Sequence, residues 1–164
     1  RRWVRGLFAG GSLTAEAQMI FLDQGLKVMS NVPILGANML KDHVPGHILL
    51  DLGEDQFTRG RPHPMIDPVV RDESLRKALG DDEVGVILLD IVIGFGASDN
   101  PASHVVRVLD NHKDRDPIIV ASVTGTEKDR QVLSRQVAIL KSAGVSVAPS
   151  NAHAVEAALA SISN

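Results

Sequence analysis

The sequence predicts an α/β domain on a doubly wound parallel sheet, and three observations carry that reading. Strand-length runs of apolar, β-branched or small residues recur along the chain, at residues 4–9, 47–52, 84–93, 117–123 and 145–148. Stretches with helical spacing separate them, as βαβ units require, because parallel neighbours can be joined only by a crossover. Glycines cluster directly after the runs, where strands of a parallel sheet turn into helices.

Taken in order, the first run passes through Gly10-Gly11-Ser12 into a helix marked by Leu13, Ala17, Ile20 and Phe21. Ser12 is its expected N-cap, and Gly25 its C-terminal glycine. Residues 29–44 fit neither period and carry Pro33 and Gly36, so they read as an excursion or an interaction loop. Val32, Ile34, Leu35, Met39 and Leu40 would form an exposed apolar patch there, which predicts a partner and a homo-oligomer. After the second run comes a polar loop, then a helix ending at Gly80. The third run is followed by Asn100-Pro101, a cap and first-turn proline, opening a helix with Val105, Val106, Val108 and Leu109. Thr126 with Asp129 resembles a capping box after the fourth run, ahead of Val132, Val137, Ile139 and Leu140 and a closing Gly144. The fifth run leads to a terminal helix over about 152–162. Five strands connected in this way match the flavodoxin-like, three-layer αβα plan with order 2-1-3-4-5.

Composition bounds the function. At 164 residues the chain needs only one domain, and 44% apolar with 23% charged residues is an ordinary globular balance. Without cysteine there is no disulfide, thiolate nucleophile or cysteine-held metal. A net charge of −3 supplies no field to hold nucleic acid, and no apolar run approaches the length of a membrane span. The expected location is cytoplasmic. The opening Arg1-Arg2-Trp3-Val4 lacks a methionine and runs almost directly into a strand, which is read as an excised part of a longer protein.

In a parallel sheet the glycine loops share one edge with the helix N-termini, whose free N–H groups and positive dipole end attract anions. The candidates for binding a phosphate or carboxylate there are Gly10, Gly11, Ser12, Gly94, Gly96, Gly125 and Thr126. The loop after strand two adds Arg59 and Arg61, planar forks for an anion, and His63, the candidate catalytic residue, held between Pro62 and Pro64. Its prolines, with Pro68, forbid a regular helix; the alternative is a solvated loop whose arginines pair with Glu54, Asp55 or Asp67. Asp90 reads either as a buried, hydrogen-bonded acid or as a polar break in its strand. His43 and His47 straddle Pro45-Gly46 and make no metal pair, and His104, His112 and His153 receive no role, so no metal site is expected. A nucleotide-binding Gly-Lys-Ser/Thr loop, the acidic strand end of a receiver domain, aromatic rings for a flavin and a complete dinucleotide glycine triad are all missing.

Four segments carry a family resemblance: Arg5-Gly-Leu-Phe-Ala-Gly-Gly-Ser, Asp51-Leu-Gly-Glu-Asp-Gln-Phe-Thr-Arg-Gly-Arg-Pro-His-Pro-Met-Ile-Asp-Pro, Leu89-Asp-Ile-Val-Ile-Gly-Phe-Gly-Ala and Ser122-Val-Thr-Gly-Thr. They resemble the FdrA family, itself similar to NDP-forming acyl-CoA synthetases of the succinyl-CoA synthetase type, over most of the chain outside 29–44. The resemblance implies a CoA-ligase domain that follows a CoA-binding domain, with CoA and a nucleotide used by the whole protein but no cofactor within this segment. It implies a phosphate or acyl-phosphate ligand, its own N-terminal part or partner subunits as partners, and no activity for the segment alone. The Gly-His-Ala-Gly segment that carries a phosphorylated histidine in succinyl-CoA synthetase has no counterpart here. Family members linked to an oxamate carbamoyltransferase imply an alternative, carbamoyl transfer to or from phosphate. A noncatalytic assembly module is the third possibility.

Overall fold

A strand covered on both faces must be apolar on both, and Val84–Val92 is buried almost throughout, with Leu88 packing to one side of the sheet and Leu89 to the other. The computed structural model describes residues 2–162. Its elements in order are β1 (Trp3–Phe8), α1 (Gly11–Asp23), β2 (Val28–Ser30), β3 (Asn38–Met39), β4 (His47–Asp51), α2 (Asp55–Thr58) and α3 (Val69–Leu79). Then come β5 (Val84–Val92), α4 (Pro101–Asp110), β6 (Ile118–Thr124), α5 (Leu133–Ser142), β7 (Ser146–Ala148) and α6 (Asn151–Ile162). One parallel sheet holds all the strands in the order β3-β2-β4-β1-β5-β6-β7. Val4, Phe8, Leu49, Leu88 and Val120 pack under α1 and α6; Leu7, Ile87, Leu89 and Ile119 pack under α3, α4 and α5. Each fully buried leucine among them contributes roughly 1.5–3 kcal/mol.

The five expected strands are β4-β1-β5-β6-β7, in the expected order, but the sheet has seven. The correction lies in residues 29–44, which extend the sheet through β2 and β3 instead of leaving it. Side chains fasten this stretch. The Asn31 amide exchanges two 2.9 Å bonds with the Asp51 backbone, and Gln18 of α1 donates to Val32 O and accepts from Ile34 N–H, at 3.1 and 3.0 Å. Within the stretch, Leu35 and Met39 are exposed while Val32, Ile34 and Leu40 are half-buried.

Helix ends also differ from expectation. Gly10, not Ser12, is the N-cap of α1 and uses only its backbone; the Thr14 hydroxyl donates to its carbonyl. Thr126 and Asp129 form a turn ahead of α5 and not its capping box, the Asp129 carboxylate accepting the Thr126 N–H at 2.6 Å. Asn100 does cap α4, accepting from Ser103 N–H at 3.3 Å. The short α2 precedes the prolines of its loop.

At the amino edge of the sheet, His47 is buried edge-on against the rings of Trp3 and Phe21, at 5.1 and 5.2 Å, and its Nδ1 accepts the Val4 N–H at 3.0 Å. Burial, helped by the charge of Arg5, holds its pKa below the ordinary histidine value. The unfolded chain takes up a proton near pH 6.5, which the folded chain resists. This contribution to stability is therefore complete above about pH 6.5 and is lost as pH falls toward the depressed folded value. Thermal melts from pH 7.5 to 5.5 should show a declining Tm, with a shallower decline in His47→Gln; equal slopes would remove His47 from this role.

Candidate functional site at the carboxyl edge of the sheet

Because every strand is parallel, β1, β4, β5 and β6 deliver their following loops to one edge. The first turn of α1 lies there, and among the described residues the N–H groups of Gly11, Ser12 and Leu13 donate to nothing. No acidic residue occupies that turn. Asp51, the last residue of β4, is buried beside it. Its Oδ1 accepts the Gly53 N–H at 2.9 Å, and its Oδ2 lies 3.2 Å from where a Cβ on Gly11 would stand. A Cβ on Gly53 would stand 2.5 Å from His63 Nε2 and 3.2 Å from Asp51 Oδ1. The two glycines therefore let the α1 N-terminus, Asp51 and His63 converge. His63 Nδ1 accepts the Met65 N–H at 3.1 Å, so the proton of the neutral ring sits on Nε2, toward Gly53 and Asp51.

Asp90, near the end of β5, is the buried hydrogen-bonded acid of the two readings open to it. It is 0% exposed, and its Oδ1 accepts both the Ala9 N–H at 2.8 Å and the Arg71 guanidinium at 2.7 Å. Arg71, 6% exposed, also donates to the Asp90 carbonyl. Complete burial pushes the Asp90 carboxyl up, against the opposing pull of Arg71 and the Ala9 N–H. The pair fixes the end of β1, one residue before Gly10, to α3 and β5.

The remaining candidates have different surroundings. Gly94 exchanges two 3.1 Å bonds with the Gln131 side chain, which also donates to Ser98 O at 2.9 Å. The Ser98 N–H donates to Met65 O at 2.8 Å, and Gly96 has φ +82°, a left-handed conformation suited to glycine. This loop is thus tied inward to the neighbouring ones. Gly125 lies so close to Ile93 that a Cβ would fall 2.1 Å from its Cγ1. Thr126 is exposed in its turn with Asp129. Arg61 pairs with Glu73 of α3 at 2.7 Å, not with Glu54, Asp55 or Asp67; Arg59 is exposed and makes no ion pair among the described residues. The structure therefore brings Gly10, Gly11, Ser12 and His63 together with Asp51. In the sequence Asp51 stands out only as part of a motif, and no local pattern distinguishes Arg71 or Gln131.

Beside this convergence a cavity of ≈ 20 Å³ lies between the starts of α3 and α4, its lining including Ala9, Pro64, Pro68, Arg71, Asp72 and His104. Desolvation raises the pKa of Asp72, against the charges of Arg76, His104, Arg107 and Arg71. Among the described residues no cluster of three histidine or acidic side chains is placed to hold a metal, and no helix is long and apolar enough to cross a membrane.

The CoA-ligase family profile matches residues 7–161. The uncharacterized protein YahF of Escherichia coli (strain K12) is 37% identical over 159 residues, covering 92% of this chain and 31% of its own. The crystal structure of PH0766 from Pyrococcus horikoshii OT3 superposes with a TM-score of 0.58 at 14% identity, over 99% of this chain and 35% of that one, a likeness of fold. The chain thus spans about a third of the length of either relative.

Proposed function

The chain belongs to the CoA-ligase family, and from that membership we propose that it is the phosphate- or acyl-phosphate-binding domain of a succinyl-CoA synthetase-like, NDP-forming acyl-CoA synthetase of the FdrA type. The observation that carries this reading is the first turn of α1. Among the described residues three N–H groups without acceptors stand at the positive end of a helix dipole, beside Asp51, which also borders Gly53 together with the Nε2 of His63. Glycine at position 11 allows an anion to reach them. The Asp51 carboxylate in the same space resists a second full negative charge, so the site favours a ligand that presents a hydroxyl or N–H to Asp51 and an anionic oxygen to the helix.

CoA and a nucleotide are ligands of the whole protein in this reading, and the cavity of ≈ 20 Å³ adjoining this edge has room for a water-sized group, not for an adenosine or a pantetheine arm. We assign those ligands to the remaining length of a longer cytoplasmic protein, and the wholly exposed Phe95, in the loop following β5, to contact with that part or with a partner subunit.

Calorimetric titration with inorganic phosphate, acetyl phosphate and carbamoyl phosphate tests the reading. Saturable binding that weakens at least about tenfold in Gly11→Val and in His63→Gln, with melting curves showing both variants folded, is the expected result. Undiminished binding in a folded Gly11→Val chain would overturn it. Preference for carbamoyl over acetyl phosphate would turn the reaction toward carbamoyl transfer at the same site.

A further inference from the structure

We infer that Asp90 and Thr14 are positioning residues, which hold the Gly10-Gly11 turn in its anion-receiving conformation before any ligand arrives. The inference rests on the phosphate position proposed at α1. Two successive glycines make a pliant link, since neither carries a side chain to restrict its backbone. Packing does not confine the first of them: a Cβ built on Gly10 would meet nothing within 4 Å. Without other restraint the turn would have to be ordered each time an anion binds, and that lost entropy would be subtracted from the affinity.

Hydrogen bonds supply the restraint from both sides. Ahead of the turn, the buried Ala9 N–H donates at 2.8 Å to Asp90 Oδ1, a side-chain acceptor that stands just past the Leu7–Leu89 pair with which the β1–β5 ladder ends. Asp90 cannot swing away, because Arg71 grips both its Oδ1 and its carbonyl. Behind the turn, the wholly buried Thr14 holds the Gly10 carbonyl twice, through its N–H at 3.2 Å and its hydroxyl at 2.8 Å. Gly10 is thus fixed at φ −135° and ψ 137°, from which the chain enters the helix with the N–H groups of Gly11, Ser12 and Leu13 turned toward the edge. For the turn, Asp90 acts as an acceptor, and its charge serves the pair with Arg71. Donors fixed in advance receive an anion without reorganisation, which is what the two anchors contribute.

The test measures, on one isotopically labelled chain, the order of the Gly10 and Gly11 amides by NMR relaxation without ligand and the affinity for inorganic phosphate by titration. Thr14→Val removes the hydroxyl at nearly constant shape, and Arg71→Met with Asp90→Leu removes the Ala9 acceptor while leaving no buried charge unpaired. Both changes should loosen Gly10 and Gly11, with order parameters falling from about 0.85 toward about 0.6, and weaken phosphate binding by about three- to tenfold. Thr14→Ser, and Arg71→Met with Asp90→Asn, keep a hydroxyl and a neutral acceptor and should retain wild-type order and affinity, a rescue that a role for the ion pair alone does not predict. Unchanged order and affinity in folded Thr14→Val and Arg71→Met/Asp90→Leu chains, with phosphate still held at Gly11, Ser12 and Leu13, would overturn the positioning role and leave the anion site standing. A wild-type chain that binds no phosphate would overturn the site and this inference with it. Thr14→Val against Thr14→Ser decides the matter even if the Arg71 and Asp90 variants do not fold.

Discussion

Arg71→Ala is expected to lose roughly 3–5 kcal/mol of folding stability, the usual consequence of leaving a buried charge without its partner. Arg71 is 6% exposed and Asp90 is not exposed at all, so neither charge has water to fall back on. Removing the guanidinium deletes its contacts with Asp90 Oδ1 and the Asp90 carbonyl, leaving the carboxylate only the Ala9 N–H. The loss should depend on pH in a defined direction. Burial already raises the Asp90 pKa, and without Arg71 it rises further. A group raised in the folded state contributes stability below its unfolded value, near pH 3.9, and loses it as pH rises through the folded value. Urea denaturation should therefore show a larger deficit at pH 7 than at pH 5. Arg71→Met combined with Asp90→Asn, which keeps an acceptor for the Ala9 N–H, should recover much of the deficit. A loss below about 1 kcal/mol at pH 7 would show that the pair contributes no more than an exposed one.

Gly125→Ala is the second large effect, a destabilisation of about 1–3 kcal/mol from overpacking. The added Cβ would lie 2.1 Å from Ile93 Cγ1, 2.7 Å from its Cδ1 and 3.0 Å from Asp129 Oδ2. Ile93 has little room to retreat, because its backbone N–H is bonded to Thr124 O at 3.0 Å and its side chain is in the core. The Ile93→Ala and Gly125→Ala changes should be less harmful together than the sum of the two, since deleting Cγ1 removes the clash. Strict additivity would place the role of Gly125 elsewhere, including in anion binding.

The central strands were legible because strands buried on both faces write continuous apolar runs, and Val84–Val92 does so almost without interruption. Their order followed from the crossover connections. β2 and β3 were not legible: three and two residues show no period, and they are held by Asn31 and Gln18, whose partners lie far along the chain. The start of α5 was misplaced because Val132 occupies a left-handed conformation, φ +59°, that a β-branched residue rarely adopts and no local rule anticipates. The edge carrying the site could be read from topology alone, since glycine loops after parallel strands must meet there. The convergence of Asp51 with His63 could not, because it depends on the way the chain folds back across Gly53. The Arg71–Asp90 pair had no sequence signal either, as it joins a helix to a strand 19 residues apart.

The most direct measurement is to map amide shifts of the isotopically labelled chain by two-dimensional NMR during titration with inorganic phosphate. The account predicts that the largest saturable shifts fall on the N–H groups of Gly11, Ser12 and Leu13, accompanied by the ring resonances of His63. Saturable shifts centred instead on Gly94, Gly96 or Arg59, or no shifts in a folded chain at millimolar phosphate, would contradict it.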